Sequence, residues 1–109
     1  MNSWDLTTLD LEVHKPEVLL SEEGVARSIA VNLPAGDMLQ DHEVHEHAYL
    51  VVVSGEIEVQ HAGGTETGGV GYVAHFEPQE RHEVRATQDA RFILVLAPWP
   101  GEGHPGSRG

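Results

Sequence analysis

The sequence predicts an all-β domain, a sandwich or barrel of two antiparallel sheets with little helix. Three observations carry this expectation. Short segments alternate apolar and polar residues, turn residues separate them at regular spacing, and no stretch has the apolar repeat of an amphipathic helix. The 109 residues suit one domain and leave no room for a second core. We expect an N-terminal segment over 1–26, a β core over 27–98 and a Pro/Gly-rich tail over 99–109.

Trp4 to Leu11 reads as a short edge strand, and Pro16 to Leu20 as a brief helical turn. From Arg27 to Leu33, the residues Ile29, Val31 and Leu33 alternate with Ser28, Ala30 and Asn32, the period of a half-buried strand. Leu33-Pro34-Ala35-Gly36-Asp37 then supplies turn chemistry. Ala48 to Val53 is continuously apolar and ends at Ser54-Gly55, which fits a strand buried on both faces. In Gly55 to Gln60, Ile57 and Val59 face inward, and His61 to Thr65 reads as a hairpin turn. Tyr72 to Phe76 is a further strand, closed by Glu77-Pro78; His82, Val84 and Ala86 share one face of the next. Arg91 to Ala97 is the last strand and the most apolar. The stretch from Pro98 holds three prolines and four glycines in twelve residues, so only Trp99 is expected to anchor on the body.

Eighteen acidic against six basic residues give a formal charge of −12, which repels nucleic-acid phosphates and anionic lipids and argues against both as partners. No run approaches the roughly 18 apolar residues of a spanning helix, and Met1 to Leu11 lacks the basic and apolar regions of a secretory signal. Cysteine is absent, which removes disulfides, thiolate metal sites and cysteine nucleophiles. The expected location is cytoplasmic.

Eight histidines are many for this length. Asp41-His42-Glu43-Val44-His45-Glu46-His47 gathers three of them with two glutamates just before a buried strand, and His82 opens a later one. Imidazoles with carboxylates suit Zn, Fe, Ni, Mn or Cu. A cluster on one strand and a distant histidine on a neighbour is how a sheet assembles a metal site, because alternate residues face one way. The bland reading is a polar loop at the rim. His75 lies within reach of the His45/His47 face or serves packing; His14, His61 and His104 read as solvent-facing. Tyr49 and Tyr72 are packing residues or pocket walls, and Arg81, Arg85 and Arg91 are expected to pair with nearby glutamates.

The chain resembles the cupins, whose first motif runs Gly, five residues, His-x-His, three or four residues, Glu, six residues, Gly. Gly36, the five-residue gap to His42, and Gly55 match it. The second motif, a proline followed by a glycine and a metal-binding histidine, is similar to Pro78-Gln79-Glu80-Arg81-His82, with Glu80 in the glycine's place. The likeness spans about Leu33 to Pro98 and implies a cupin-type jelly roll with a divalent transition metal inside the barrel. In register with His42, the second histidine falls on Val44 and the glutamate on Ala48. His42 and His82 are therefore the leading ligands, with His45 or His47 completing the set. Both lie an odd number of residues from His42, so a bulge or irregular loop must bring either to the same side. Glu43 and Glu46 read as loop carboxylates.

The resemblance implies a small metal-binding cupin whose barrel has room for a small-molecule ligand. It also allows a metal-dependent dioxygenase or isomerase with a barrel pocket lined by Leu50, Val52, Ile57, Val84 and Leu94, or a metal-free structural or binding cupin. Jelly rolls commonly pair through an edge, so a homodimer is expected.

Overall fold

The computed structural model describes residues 1–13, 15–42 and 45–100, apart from the side chains of residues 40–42. Nine strands lie among them: β1 (Glu17–Glu22), β2 (Ala26–Leu33), β3 (Met38–His42), β4 (His47–Ser54), β5 (Ile57–His61), β6 (Gly64–Gly68), β7 (Val73–Phe76), β8 (His82–Ala86) and β9 (Ala90–Ala97). They form a five-stranded sheet, β1-β2-β9-β4-β7, facing a four-stranded sheet, β3-β8-β5-β6, with every strand pair antiparallel. This is the predicted all-β jelly-roll sandwich.

Alternation decides which side chains meet between the sheets. Ile29, Leu94, Leu50 and Ala74 form one cross-strand row of the larger sheet, and Val31, Phe92 and Val52 the next. Leu39, Val84 and Val59 face them from the smaller sheet, with Ile57 opposite Ala86 one row along. Phe92, Leu33, Leu50, Ile57, Val31, Val52, Val59 and Val84 are fully buried. Each such side chain contributes about 1.5–3 kcal/mol by leaving water. β9 sits centrally between β2 and β4, in keeping with its apolar sequence.

The first twenty residues differ from expectation. Asp5 to Leu9 is a turn and not an edge strand: the Asp5 carboxylate accepts from the Thr7 N–H at 3.0 Å and from its hydroxyl at 2.5 Å. Such local side-chain bonds offer the backbone an alternative to a ladder. The same bonds, the hydroxyl first, hold the Asp5 carboxyl below its ordinary pKa. The segment lies across the outer side of β2 and β9. Arg91 Nη1 donates to the carbonyls of Leu6 at 2.8 Å and Leu9 at 2.5 Å, and Asn32 Nδ2 donates to the Leu11 carbonyl at 3.1 Å. Arg91 thus caps backbone carbonyls and does not pair with a glutamate as anticipated. Glu17 to Leu20, read as a helical turn, belongs to β1, whose ladder with β2 breaks at a bulge between Val18 and Leu20. A one-turn helix makes too few bonds to compete with pairing along an available strand edge.

Two strands lie where no apolar alternation marks them. β3 (Met-Leu-Gln-Asp-His) and β6 (Gly-Thr-Glu-Thr-Gly) are edge strands of the smaller sheet, placed by pairing with β8 and β5. Trp99 does anchor the start of the tail: it is 3 % exposed, and the Arg27 guanidinium stands 4.7 Å from its ring centroid. No helix among the described residues is long and apolar enough to cross a membrane.

Candidate functional site

The candidate ligands distribute over two places. His42 sits opposite His82 in the β3–β8 ladder, and His82 opposite His61 in the β8–β5 ladder, so three histidines share one row of the smaller sheet. A bulge does occur in β3, but between Leu39 and His42, ahead of the His42–His47 stretch where the sequence asked for one. The side chain of His42, and Glu43, Val44, His14 and His104 altogether, lie outside what the structure describes.

His82 is 3 % exposed and faces the interior. Its ring stacks on Phe76 of the opposite sheet, centroids 3.9 Å apart and planes 8° apart, and its Nδ1 lies 3.2 Å from the Glu80 carbonyl. Ala48, where the family glutamate would stand, is buried between Leu96 on β9 and Phe76 on β7. That position is apolar core and offers no ligand. His45 Nδ1 is 3.5 Å from Gln79 Nε2, and its Nε2 is buried with no hydrogen-bond partner among the described residues. Glu46, expected as a solvated carboxylate, is 5 % exposed.

His47 goes elsewhere. It opens β4, and since Ala48, Leu50 and Val52 point into the core, His47 and Tyr49 project from the outer face. Tyr49 is paired with His75 on β7, and Ala48 with Phe76, which brings Glu77 beside His47. His47 Nδ1 and His75 Nε2 are 2.8 Å apart, a hydrogen bond in which one ring donates and the other accepts. The two rings stack at 5.1 Å, and the Tyr49 ring lies 4.9 Å from His75. Glu77 Oε2 is 3.8 Å from His47 Nδ1. One donor atom from each of His47, His75 and Glu77 falls within 4.8 Å of the others. His47 and His82 therefore stand on opposite sides of the larger sheet, with Phe76 and Ala48 between them.

The donor set suits a borderline metal chemically: two imidazoles and a carboxylate, open to solvent on one side. It suits one geometrically as well. Ligands at about 2.0–2.2 Å from a tetrahedral ion are about 3.3–3.5 Å apart, and the separations of 2.8 and 3.8 Å bracket that value. Of this group the sequence singled out only His47 as a ligand. The signal for the other two is register: His47/Tyr49 and His75/Glu77 are two residues apart on strands that pair.

Two cavities found among the described residues lie elsewhere than the predicted pocket. Leu50, Val52, Ile57 and Val84 are close-packed and Leu94 packs against them, and none of the five lines either of these cavities. The two cavities lie at the sheet margins. A broad depression of about 630 Å³ runs over the ends of β5, β6 and β8 past His61 and Arg81. A smaller cavity of about 260 Å³ opens between β6 and β7 and is lined by His61, Glu66, Tyr72, His75 and Glu80 over Phe76. His61 thus lines a cavity wall where the sequence placed it in a solvent-facing turn. Within the cavity the Tyr72 hydroxyl donates to Glu66 Oε1 at 2.9 Å, and His61 Nε2 lies 3.9 Å from Glu66 Oε2. Burial, and after it the Glu66 carboxylate, pushes the Tyr72 phenol up to about 12.

Comparison with known proteins agrees with this architecture. An RmlC-like cupin from Desulfovibrio desulfuricans superposes with a TM-score of 0.79 over 90 % of this chain and 97 % of its own, at 23 % identity. A cupin superfamily protein from Desulfitobacterium hafniense does so with a TM-score of 0.73 over 84 % of each chain, at 8 % identity. A variant of oxalate decarboxylase from Bacillus subtilis matches over 67 % of this chain and 21 % of its own, with a TM-score of 0.63 at 22 % identity. No functionally curated protein sequence matches the chain. The family model described as "Cupin domain" matches residues 30–97. With two facing antiparallel sheets and a family match over most of its length, the chain belongs to the cupin family.

Proposed function

We propose that this small cupin binds a divalent transition metal ion through His47, His75 and Glu77 on the outer face of the larger sheet. The convergence of these three side chains carries the reading, because β4 and β7 already hold them at near-ligand spacing. A bound ion supplies Lewis acidity at an exposed, openly coordinated position. The chain's own residues would set what that position accepts. Tyr49 packs against the His75 ring and fixes its orientation, while Val51 and Val73, paired on the same two strands, leave an apolar approach.

A second reading keeps the ion inside the barrel, as the family resemblance implies. The register of His42 against His82, and the buried, unbonded Nε2 of His45, favour it. Ala48 and the Phe76 ring stacked on His82 weigh against it.

Metal analysis of untagged protein decides between the two. We expect close to one equivalent of zinc, iron, nickel or manganese, lost in His47→Ala and Glu77→Gln and retained in His82→Ala. Metal that survives His47→Ala and disappears with His82→Ala would return the site to the barrel interior. Absence of metal in the parent after incubation with all four ions would leave a metal-free binding or structural cupin.

A further inference from the structure

The slot between β6 and β7 holds groups that the metal reading does not use. β7 ends the five-stranded sheet and β6 ends the four-stranded sheet. The cavity between them reaches inward-facing Ala74 and Phe76 and also outward-facing Val73 and His75. A cavity that touches both faces of a strand lies along that strand's edge. On its open edge a strand presents backbone N–H and C=O groups with no ladder partner, so the wall itself offers main-chain hydrogen bonds.

The side chains add a definite sign of charge. Glu66 and Glu80 contribute two carboxylates, and neither Lys nor Arg is among the lining residues. Glu66 accepts from the Tyr72 hydroxyl at 2.9 Å, and His61 Nε2 lies 3.9 Å from its other oxygen. Glu80 is fixed through Oε1, which accepts from the Glu77 N–H at 3.0 Å. A carboxylate has about four acceptor positions, so both retain acceptor capacity toward the cavity. Tyr72 is itself seated by Gly68, where any Cβ would run into the phenol ring. Tyr72 presents aromatic surface, against which a cation is attracted by the ring quadrupole. The charge of −12 over the whole chain favours the approach of cations and disfavours anions.

We propose that this cavity is a binding site for a small organic cation carrying N–H donors, an amine or guanidinium compound. Glu66 and Glu80 accept its hydrogen bonds, and the open edge of β7 supplies further main-chain partners. At about 260 Å³ the space falls just below the usual range of small-molecule sites, roughly 300–1,000 Å³, so the ligand is compact. The site adjoins the proposed metal centre and shares His75 with it, but its two carboxylates, Glu66 and Glu80, are not among the metal ligands.

The test is a titration of isotope-labelled protein, stripped of metal with a chelator, using agmatine as the cationic probe and acetate and glycerol as controls. Saturable shifts in the backbone amides of β6 and β7 are expected with agmatine alone. Glu66→Gln and Glu80→Gln should each weaken binding at least tenfold, with well-dispersed spectra showing the fold intact; Glu66 is 61 % exposed, so its replacement leaves the core untouched. His47→Ala should bind agmatine like the parent, and Glu66→Gln should keep the parent's metal content, which separates this site from the metal centre. No saturable shift with agmatine, equal shifts with glycerol or acetate, or unchanged affinity in both Gln variants would overturn the proposal.

Discussion

Gly55 closes the turn from β4 to β5 with φ at +76°, and a Cβ there would stand 2.7 Å from the Ala90 Cα and closer still to the Asp89 carbonyl. Both objections are backbone against backbone, so no side-chain rotation relieves them. Gly55→Ala is expected to cost about 2–4 kcal/mol, combining strain at positive φ with overpacking, as read from denaturant unfolding. A loss within 0.5 kcal/mol of zero would show that the turn relaxes freely. Tyr72 offers a second measurement on one residue. Its folded pKa of about 12 lies above the ordinary 10.0, so its contribution to stability is complete below pH 10 and is lost as pH rises through 12. In a Tyr49→Phe background, phenolate absorbance should report a midpoint near 12, and adding Glu66→Gln should draw it toward 10, part of the shift remaining because burial remains. A midpoint unmoved by Glu66→Gln would detach Tyr72 from Glu66.

Strand pairing turns these residues into sites. β7 is only four residues long, yet it places Phe76 inward on His82 and His75 outward on His47. Period-two alternation makes the two faces of one short strand serve different ends. Phe76 belongs to the core and carries the larger sheet onto His82 of the smaller one. Phe76→Ala should therefore cost about 3–5 kcal/mol in thermal or chemical denaturation, the range for deleting a buried aromatic ring. A cost below about 1 kcal/mol would mean the margin collapses to fill the gap. His47 and His75 should remain competent to bind metal in this variant at temperatures where it is folded, because they stand on the other face of the sheet.

At the scale of the whole molecule, the alternation of Ile29/Val31/Leu33 and Ile57/Val59, and the apolar runs of β4 and β9, were enough to establish a two-sheet β domain. Those patterns record which residues leave water, and burial is a local property of each strand. β3 and β6 are illegible because they are short edge strands, one with a single core-facing Leu39 and the other with no large apolar residue, so neither shows an apolar alternation. The N-terminal turn was misread because Trp4, Leu6 and Leu9 suggested a strand, whereas the Asp5–Thr7 bonds organise the backbone locally. The histidine-rich segment marked one half of the candidate centre, with His47 named and His75 noted near its face. Which residues meet across a sheet depends on pairing between segments some thirty positions apart, and no single-strand pattern encodes that register. The sequence alone therefore determined the class, the core strands, the acidic surface and an imidazole-rich rim. Only the tertiary structure decided that His47 turns outward to His75 and Glu77, that Phe76 covers His82, and that a cavity lies between two strand edges, because each follows from long-range ladder register and sheet order.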